Sequence, residues 1–113
     1  MNAKIFKTDE EKFWAGHFGD NYIGRNNSKN IIASNLAFFI KATNLIKNPE
    51  DAIEFGANIG MNIKALKLLF PKMKNYGIEI NKLAVNSLKN EISEEKIYNC
   101  SVLEFCSNKK WDL

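Results

Sequence analysis

The sequence predicts an α/β fold built on a small parallel sheet, and three observations predict it. Short apolar runs at 51–55, 75–80 and 96–100 alternate with segments of helical periodicity. The first run, "DAIEF", passes directly into "GANIG", with two glycines four apart, and then into a helix. An acidic residue, Glu79, follows the second run's apolar residues twenty-three positions after Gly56 (79 minus 56). Strands that recur between helices describe βαβ units, which bind ligands at the C-terminal ends of their strands.

Each element has its own local cause. Between 31 and 46, Ile32, Leu36, Phe39, Ile40 and Ile46 fall mostly three or four apart, the mark of a helix with one buried stripe that packs on a sheet. Pro49 stops it, having no N–H to donate and biasing Asn48 away from helical backbone. "DAIEF" is then a short buried strand. Ile63, Leu66 and Leu69/Phe70 repeat at helical spacing until Pro71, so the second helix covers 61–70. "NYGIEI" at 75–80 resumes strand alternation. From 81, "NKLAVNSLKNEI" gives a third helix with Leu83, Val85, Leu88 and Ile92 inward, and "KIYNC" is a third strand. "KKWDL" reads as the opening of a fourth. Because an open parallel sheet ordinarily has five or more strands with helices on both faces, the chain reads as shortened or as a fragment. The expectation is that "AIEF" and "YGIEI" expose apolar side chains on one face, and that the open edge of the first strand favours self-association.

Composition bounds the function. A chain of 113 residues, 45% hydrophobic and 26% charged, is one ordinary globular domain at most. Its net charge of +3 comes from lysines scattered among acids, without a basic block, so no nucleic-acid partner is implied. Cys100 and Cys106 have no zinc-ligand spacing and the N-terminus lacks a signal-peptide core, which indicates a cytoplasmic chain with reduced thiols. The longest apolar stretches, such as "LAFFI", are far short of the roughly 20 residues that cross a bilayer. Lone His17 has no second His or nearby Cys and reads as a surface histidine, so no metal site is expected.

The glycine turn points to a ligand, because glycine there permits positive φ or close approach to the main chain. A G-x-G-x-x-G dinucleotide fingerprint fails, since Asn58 and Met61 stand at its second and third glycines. A phosphate-binding G-x-x-x-x-G-K-[ST] loop fails as well, with Met61, Asn62 and Ile63 at its last positions. A ligand with adenosine but no phosphate asks for less. Asn58 can enter the left-handed region at modest cost, and Glu79 can accept hydrogen bonds from both ribose hydroxyls.

"EFGANIGMN" followed by "YGIEIN" resembles motifs I and II of the class I S-adenosylmethionine-dependent methyltransferases, whose motif I is commonly E/D-x-G-x-G-x-G. Glu54, Gly56 and Gly60 match it, and Asn58 replaces the middle glycine. "NCSVLEF" resembles the segment after the family's third strand, where an acidic or polar residue meets the adenine amine and an apolar residue the ring. Ser101 and Val102 hold those places, and a hydroxyl only partly replaces a carboxylate. A narrower resemblance lies in "EKFWAGHFGDNYIGRN" at 11–26, which is similar to the methyltransferases associated with pseudaminic acid biosynthesis in flagellated bacteria.

The resemblance implies a Rossmann-like fold with N-terminal helices, three strands and the start of a fourth. Residues 1–48 would form a helical cap and 49–113 a cofactor-binding core shortened at the fourth strand. S-adenosylmethionine would contact Tyr22, Arg25, Glu54, Gly56, Ala57, Asn58, Gly60, Glu79, Ile80, Ser101 and Val102, with Arg25 paired to the methionyl carboxylate. Phe13, Trp14, Phe18 and Tyr22 are either a cap over the sheet edge, a cover for the cofactor, or both. The acceptor would be a small molecule such as a sugar or nucleotide sugar. No catalytic base is named, because acceptor residues in this fold follow the fourth strand. The competing reading is a shortened, non-catalytic domain that binds nucleoside or a partner.

Overall fold

The structure, a computed structural model, describes residues 5–26 and 29–113, with backbone alone for 22–26. Three helices lead: α1 (Asp9–Ala15), α2 (His17–Asn26) and α3 (Lys29–Ala42). Then β1 (Asp51–Phe55), α4 (Met61–Leu69), β2 (Lys74–Ile78), α5 (Lys82–Leu88), a 3₁₀ turn (Glu94–Lys96) and β3 (Ile97–Tyr98) follow. No helix among the described residues is long and apolar enough to cross a membrane.

The three strands pair in parallel in the order β1-β2-β3, with Asp51 opposite Lys74, Phe55 opposite Ile78, and Gly77 opposite Ile97. Parallel neighbours need a crossover, and α4 and α5 supply the two. The expected fourth strand begins on the free side of β1. Leu113 donates its N–H to the Asp51 carbonyl at 3.3 Å and accepts from the Ile53 N–H at 3.1 Å, the slanted pattern of a parallel ladder. β1 is therefore the strand between β2 and this last residue.

One face of the sheet packs on helices. Ala52 meets Leu66 of α4 and Met73, with Phe39 of α3 and Leu113 against them. Ala57, Ile63 and Leu88 form a second cluster beside Gly77, and Ile59, Met61 and Ala84 a third, against which Ile31 and Ile32 of α3 lie. The other face was expected to be bare and is partly covered. Phe105 packs on Phe55 and Tyr98, and Trp111 on Tyr76, while Lys109 lies over Tyr76 and Trp111 and pairs with Asp51 at 2.6 Å. Phe55, at the far end, stays 63% exposed.

Two helices differ from their predicted form. α3 ends at Ala42, where the Thr43 hydroxyl donates to the Phe39 carbonyl at 2.6 Å and the chain turns. Ile32, Leu36 and Phe39 are half-buried as expected, but Ile40 and Ile46 are exposed, because α3 packs mainly on α4, with Phe39 reaching the cluster around Ala52. α5 ends about one turn earlier than expected, at Leu88 rather than Ile92, and Ala84 rather than exposed Leu83 points inward with Val85. α4 runs from Met61 to Leu69, close to its predicted limits.

At Gly77 the sheet lies close against Ala57 and Leu88. A Cβ there would stand 2.9 Å from the Ala57 Cβ and 3.3 Å from Leu88 Cδ2. Gly77→Ala is expected to destabilise the fold by about 1 to 3 kcal/mol through overpacking. Urea denaturation checks this, with partial recovery expected when Ala57→Gly is added.

Candidate functional site

The turn after β1 is stitched to the end of β2: the N–H groups of Gly56 and Ala57 both donate to the Ile78 carbonyl at 2.9 Å. Three residues here have left-handed backbone, Gly56 (φ 77°), Asn58 (φ 52°) and Gly60 (φ 88°), so Asn58 does what its side chain permits. The two glycines serve different ends. A Cβ on Gly56 would meet nothing within 4 Å, whereas one on Gly60 would press on Leu88 Cδ1 at 2.9 Å. Gly60 is thus a packing glycine at the start of α4, and Gly56 keeps a space open.

Glu79 follows β2 and is buried, only 7% exposed. Its Oε1 accepts from the Asn58 N–H and its Oε2 from the Asn81 N–H, both at 2.8 Å. Burial pushes its carboxyl above the usual carboxylate range, against the pull of the Asn81 and Asn58 N–H groups. Asn81 caps α5, accepting from the Ala84 N–H at 2.9 Å, and its Nδ2 donates to the Trp14 carbonyl at 3.0 Å and to Asp20 Oδ1 at 2.6 Å. One side chain therefore ties the first two helices to the sheet. Gly19 allows that contact, since a Cβ there would overlap the Trp14 carbonyl.

The result is a cavity of about 610 Å³ across the C-terminal ends of the strands, within the usual size of a small-molecule site. Gly56 and Asn58 line it after β1, Glu79, Ile80 and Asn81 after β2, and Ser101, Val102 and Leu103 after β3, while Glu11 and Trp14 of α1 close over it. Six predicted residues thus share one space: Gly56, Asn58, Glu79, Ile80, Ser101 and Val102. Ala57 and Gly60 do not line it, because both are packed into the core beside Leu88. Glu54 stands behind the turn, its Oε1 held by Asn62 Nδ2 of α4 at 2.5 Å. Tyr22 and Arg25 fall on α2, but their side chains lie outside the described residues.

Sequence reasoning missed Glu11 and Asn81. Glu11 carried a signal, the T-x-x-E capping box that starts α1, in which Thr8 Oγ accepts from the Glu11 N–H at 3.1 Å and Glu11 Oε1 from the Thr8 N–H at 2.9 Å. Asn81 carried one too, an Asn directly before a helix. Neither signal says that the residue reaches the cavity.

The chain matches no family model and no curated protein. Its fold is similar to those of several solved structures. A sugar N-methyltransferase, KedS8 of a Streptoalloteichus species, superposes with TM-score 0.63 and 11% identity over 99% of this chain and 42% of that one. The plantazolicin methyltransferase BpumL, in complex with a desmethylPZN analog and SAH, gives 0.65 and 16% over 91% of this chain and 43% of its own. DesVI of Streptomyces venezuelae gives 0.58 and 10% over 94% and 42%. The chain shares part of the fold of these proteins. It spans about two fifths of the length of these proteins. The methyltransferase fold places its glycine turn and Glu79 side by side at the strand ends.

Two outcomes follow from this geometry. Gly56→Ala puts a methyl group into open space and forces a left-handed alanine, at a cost of roughly 1 to 2 kcal/mol. Gly60→Ala adds a clash with Leu88 to the same strain and should lower the urea midpoint further. Measuring both variants orders them, and equal losses would contradict the division between the two glycines. Glu54 generates a pH dependence. Burial, opposed by the Asn62 hydrogen bond and reinforced by the negative charge of Glu79, raises its carboxyl from 4.5 to about 7. The folded state therefore holds this proton more tightly than the unfolded one. The stabilisation is fully present below about pH 4.5 and is lost as pH rises through about 7, a fall of roughly 3 kcal/mol from this group. Glu54→Gln, which keeps the acceptor for Asn62, should flatten denaturation midpoints over that window.

Proposed function

We propose that this chain is the cofactor-binding part of an S-adenosylmethionine-dependent methyltransferase. The observation that carries the reading is the pairing of Gly56, whose missing Cβ leaves open space, with the buried Glu79 carboxylate in one cavity at the strand ends. The residues fit the cofactor. Each Glu79 oxygen accepts one N–H and retains a lone pair, so the carboxylate can still take the two hydroxyls of a ribose. The division of labour assigns binding to 49–113 and cover to 1–48.

In this reading Glu79 holds the ribose, Gly56 and Asn58 let the amino-acid tail lie against the main chain, and Ile80, Ser101 and Val102 surround the base. Tyr22 and Arg25 serve the methionyl end. The bound sulfonium supplies the methyl group, and its departure as a thioether needs no acid. What the chain contributes is orientation and exclusion of water, since in-line displacement depends on near-attack placement. The acceptor is a small molecule, and the resemblance of residues 11–26 favours a sugar or nucleotide sugar in cytoplasmic pseudaminic acid biosynthesis. That a sugar N-methyltransferase shares the fold supports this choice.

Calorimetric titration tests the reading. S-adenosylhomocysteine is expected to bind and NAD not to, and the opposite order would overturn the assignment. Glu79→Ala removes charge-assisted hydrogen bonds worth on the order of 1.5 to 3 kcal/mol each. It should weaken S-adenosylhomocysteine at least tenfold.

A further inference from the structure

The outer face of α3 is apolar where a surface helix is ordinarily charged. No Asp, Glu, Lys or Arg occurs from Asn30 to Ile40. The inner stripe of Ile32, Leu36 and Phe39 is half-buried, while Ala33, Ser34, Ala37, Phe38 and Ile40 are exposed. Phe38 is 64% exposed and Ile40 51%, and just past the helix Leu45 is 90% exposed. Helical spacing sets Ala33 and Ala37 along the middle of this face, with Phe38 on one flank and Ile40 on the other. A soluble helix with one buried stripe turns polar residues to water, and α3 does not.

The size of the face points to its occupant. Phe38, Ile40, Leu45 and Ile46, with the two alanines, leave on the order of 500 Å² of apolar surface in water, the upper end of what a monomer shows. Matched by the same face of a second copy, it reaches about 1,000 Å², where specific interfaces begin. The face also complements itself. In an antiparallel pair about a two-fold axis at Ala37, Phe38 meets its own copy on one flank, and on the other Ile40 lies opposite Ala33 of the second copy, large against small. The two Lys41 residues then stand roughly 12 Å apart along the helices, eight residues at about 1.5 Å each. That exceeds the Debye length of about 8 Å, whereas a parallel pair would set each lysine beside its copy.

We infer that the chain forms a two-fold dimer through the outer face of α3, with the two helices antiparallel. This surface is distinct from the open edge of β1. No α3 residue lines the cavity at the strand ends, so both copies of that site stay open and the inference stands apart from the function proposed above.

Analytical ultracentrifugation of the full chain at tens of micromolar tests it. The wild type should sediment with twice the 12.9 kDa chain mass. Ala37→Glu places a charge at the axis, opposite its own copy, and should weaken association at least tenfold, giving a monomer. The position is exposed and glutamate is a good helix former, so helix content should be unchanged by circular dichroism. Phe38→Glu repeats the test from the flank. A wild type that sediments as a monomer overturns the inference without recourse to any variant. A dimer that survives both substitutions overturns it too, and assigns association to another surface.

Discussion

The Glu79 carboxylate bridges two main-chain N–H groups that belong to different parts of the fold. Asn58 lies in the turn after β1, and Asn81 begins α5. Remove the carboxylate and both N–H groups lose their partner inside the protein, at a cost comparable to the hydrogen bonds themselves. The turn then keeps the bonds of Gly56 and Ala57 to the Ile78 carbonyl and that of Gly60 to the Ala57 carbonyl. Asn81 passes the restraint on, because the same residue that donates to Glu79 through its main chain holds Trp14 and Asp20 through its side chain. Position of the glycine turn, start of α5 and seating of the first two helices are consequently one problem with one solution.

Electrostatics adds a second layer. Glu79 is buried and Glu54 half-buried behind the turn, and the negative charge of Glu79 raises the Glu54 carboxyl. Two carboxylates so placed do not ionise independently. Glu79 has two N–H donors to stabilise its charge, while Glu54 has the amide of Asn62 and an Oε2 that accepts no hydrogen bond among the described residues. The N–H donors thus favour a charged Glu79. That leaves the charge where the cavity is, which is the arrangement a ribose needs.

Much of the fold was legible wherever glycine, proline or asparagine set the backbone locally. β1, the glycine turn and α4 fall where Gly56, Gly60 and Pro71 put them, and Asn58 adopts the left-handed form that its type allows. That the last residues turn toward extended pairing was legible from "KKWDL", and Leu113 bonds to β1 there. What periodicity could not give was the partner of each face. Ile40 and Leu83 satisfy a helical stripe but meet solvent, because a stripe says that a helix is amphipathic and not how wide its contact is. The aromatic cover of the sheet by Phe105 and Trp111 sits in an irregular segment with no period to read. Of the site, Gly56, Asn58, Glu79, Ile80, Ser101 and Val102 were legible from spacing and resemblance. Glu11 was not, since its place depends on the first helix folding back over a strand some ninety residues on.

The hydrogen bonds between Leu113 and β1 bear on how the chain reaches its native state. β1 gains β2 after one crossover helix, but its other neighbour arrives sixty positions after Ile53 (113 minus 53). Contacts so distant in sequence form slowly, because the loop between them must first close. On a ribosome the β1–α4–β2 unit emerges and can pair well before Leu113 is made, and its second edge waits open meanwhile. β1 is thus flanked by β2 early and by Leu113 only later, and that interval is when chaperone binding or misassociation would act on this chain.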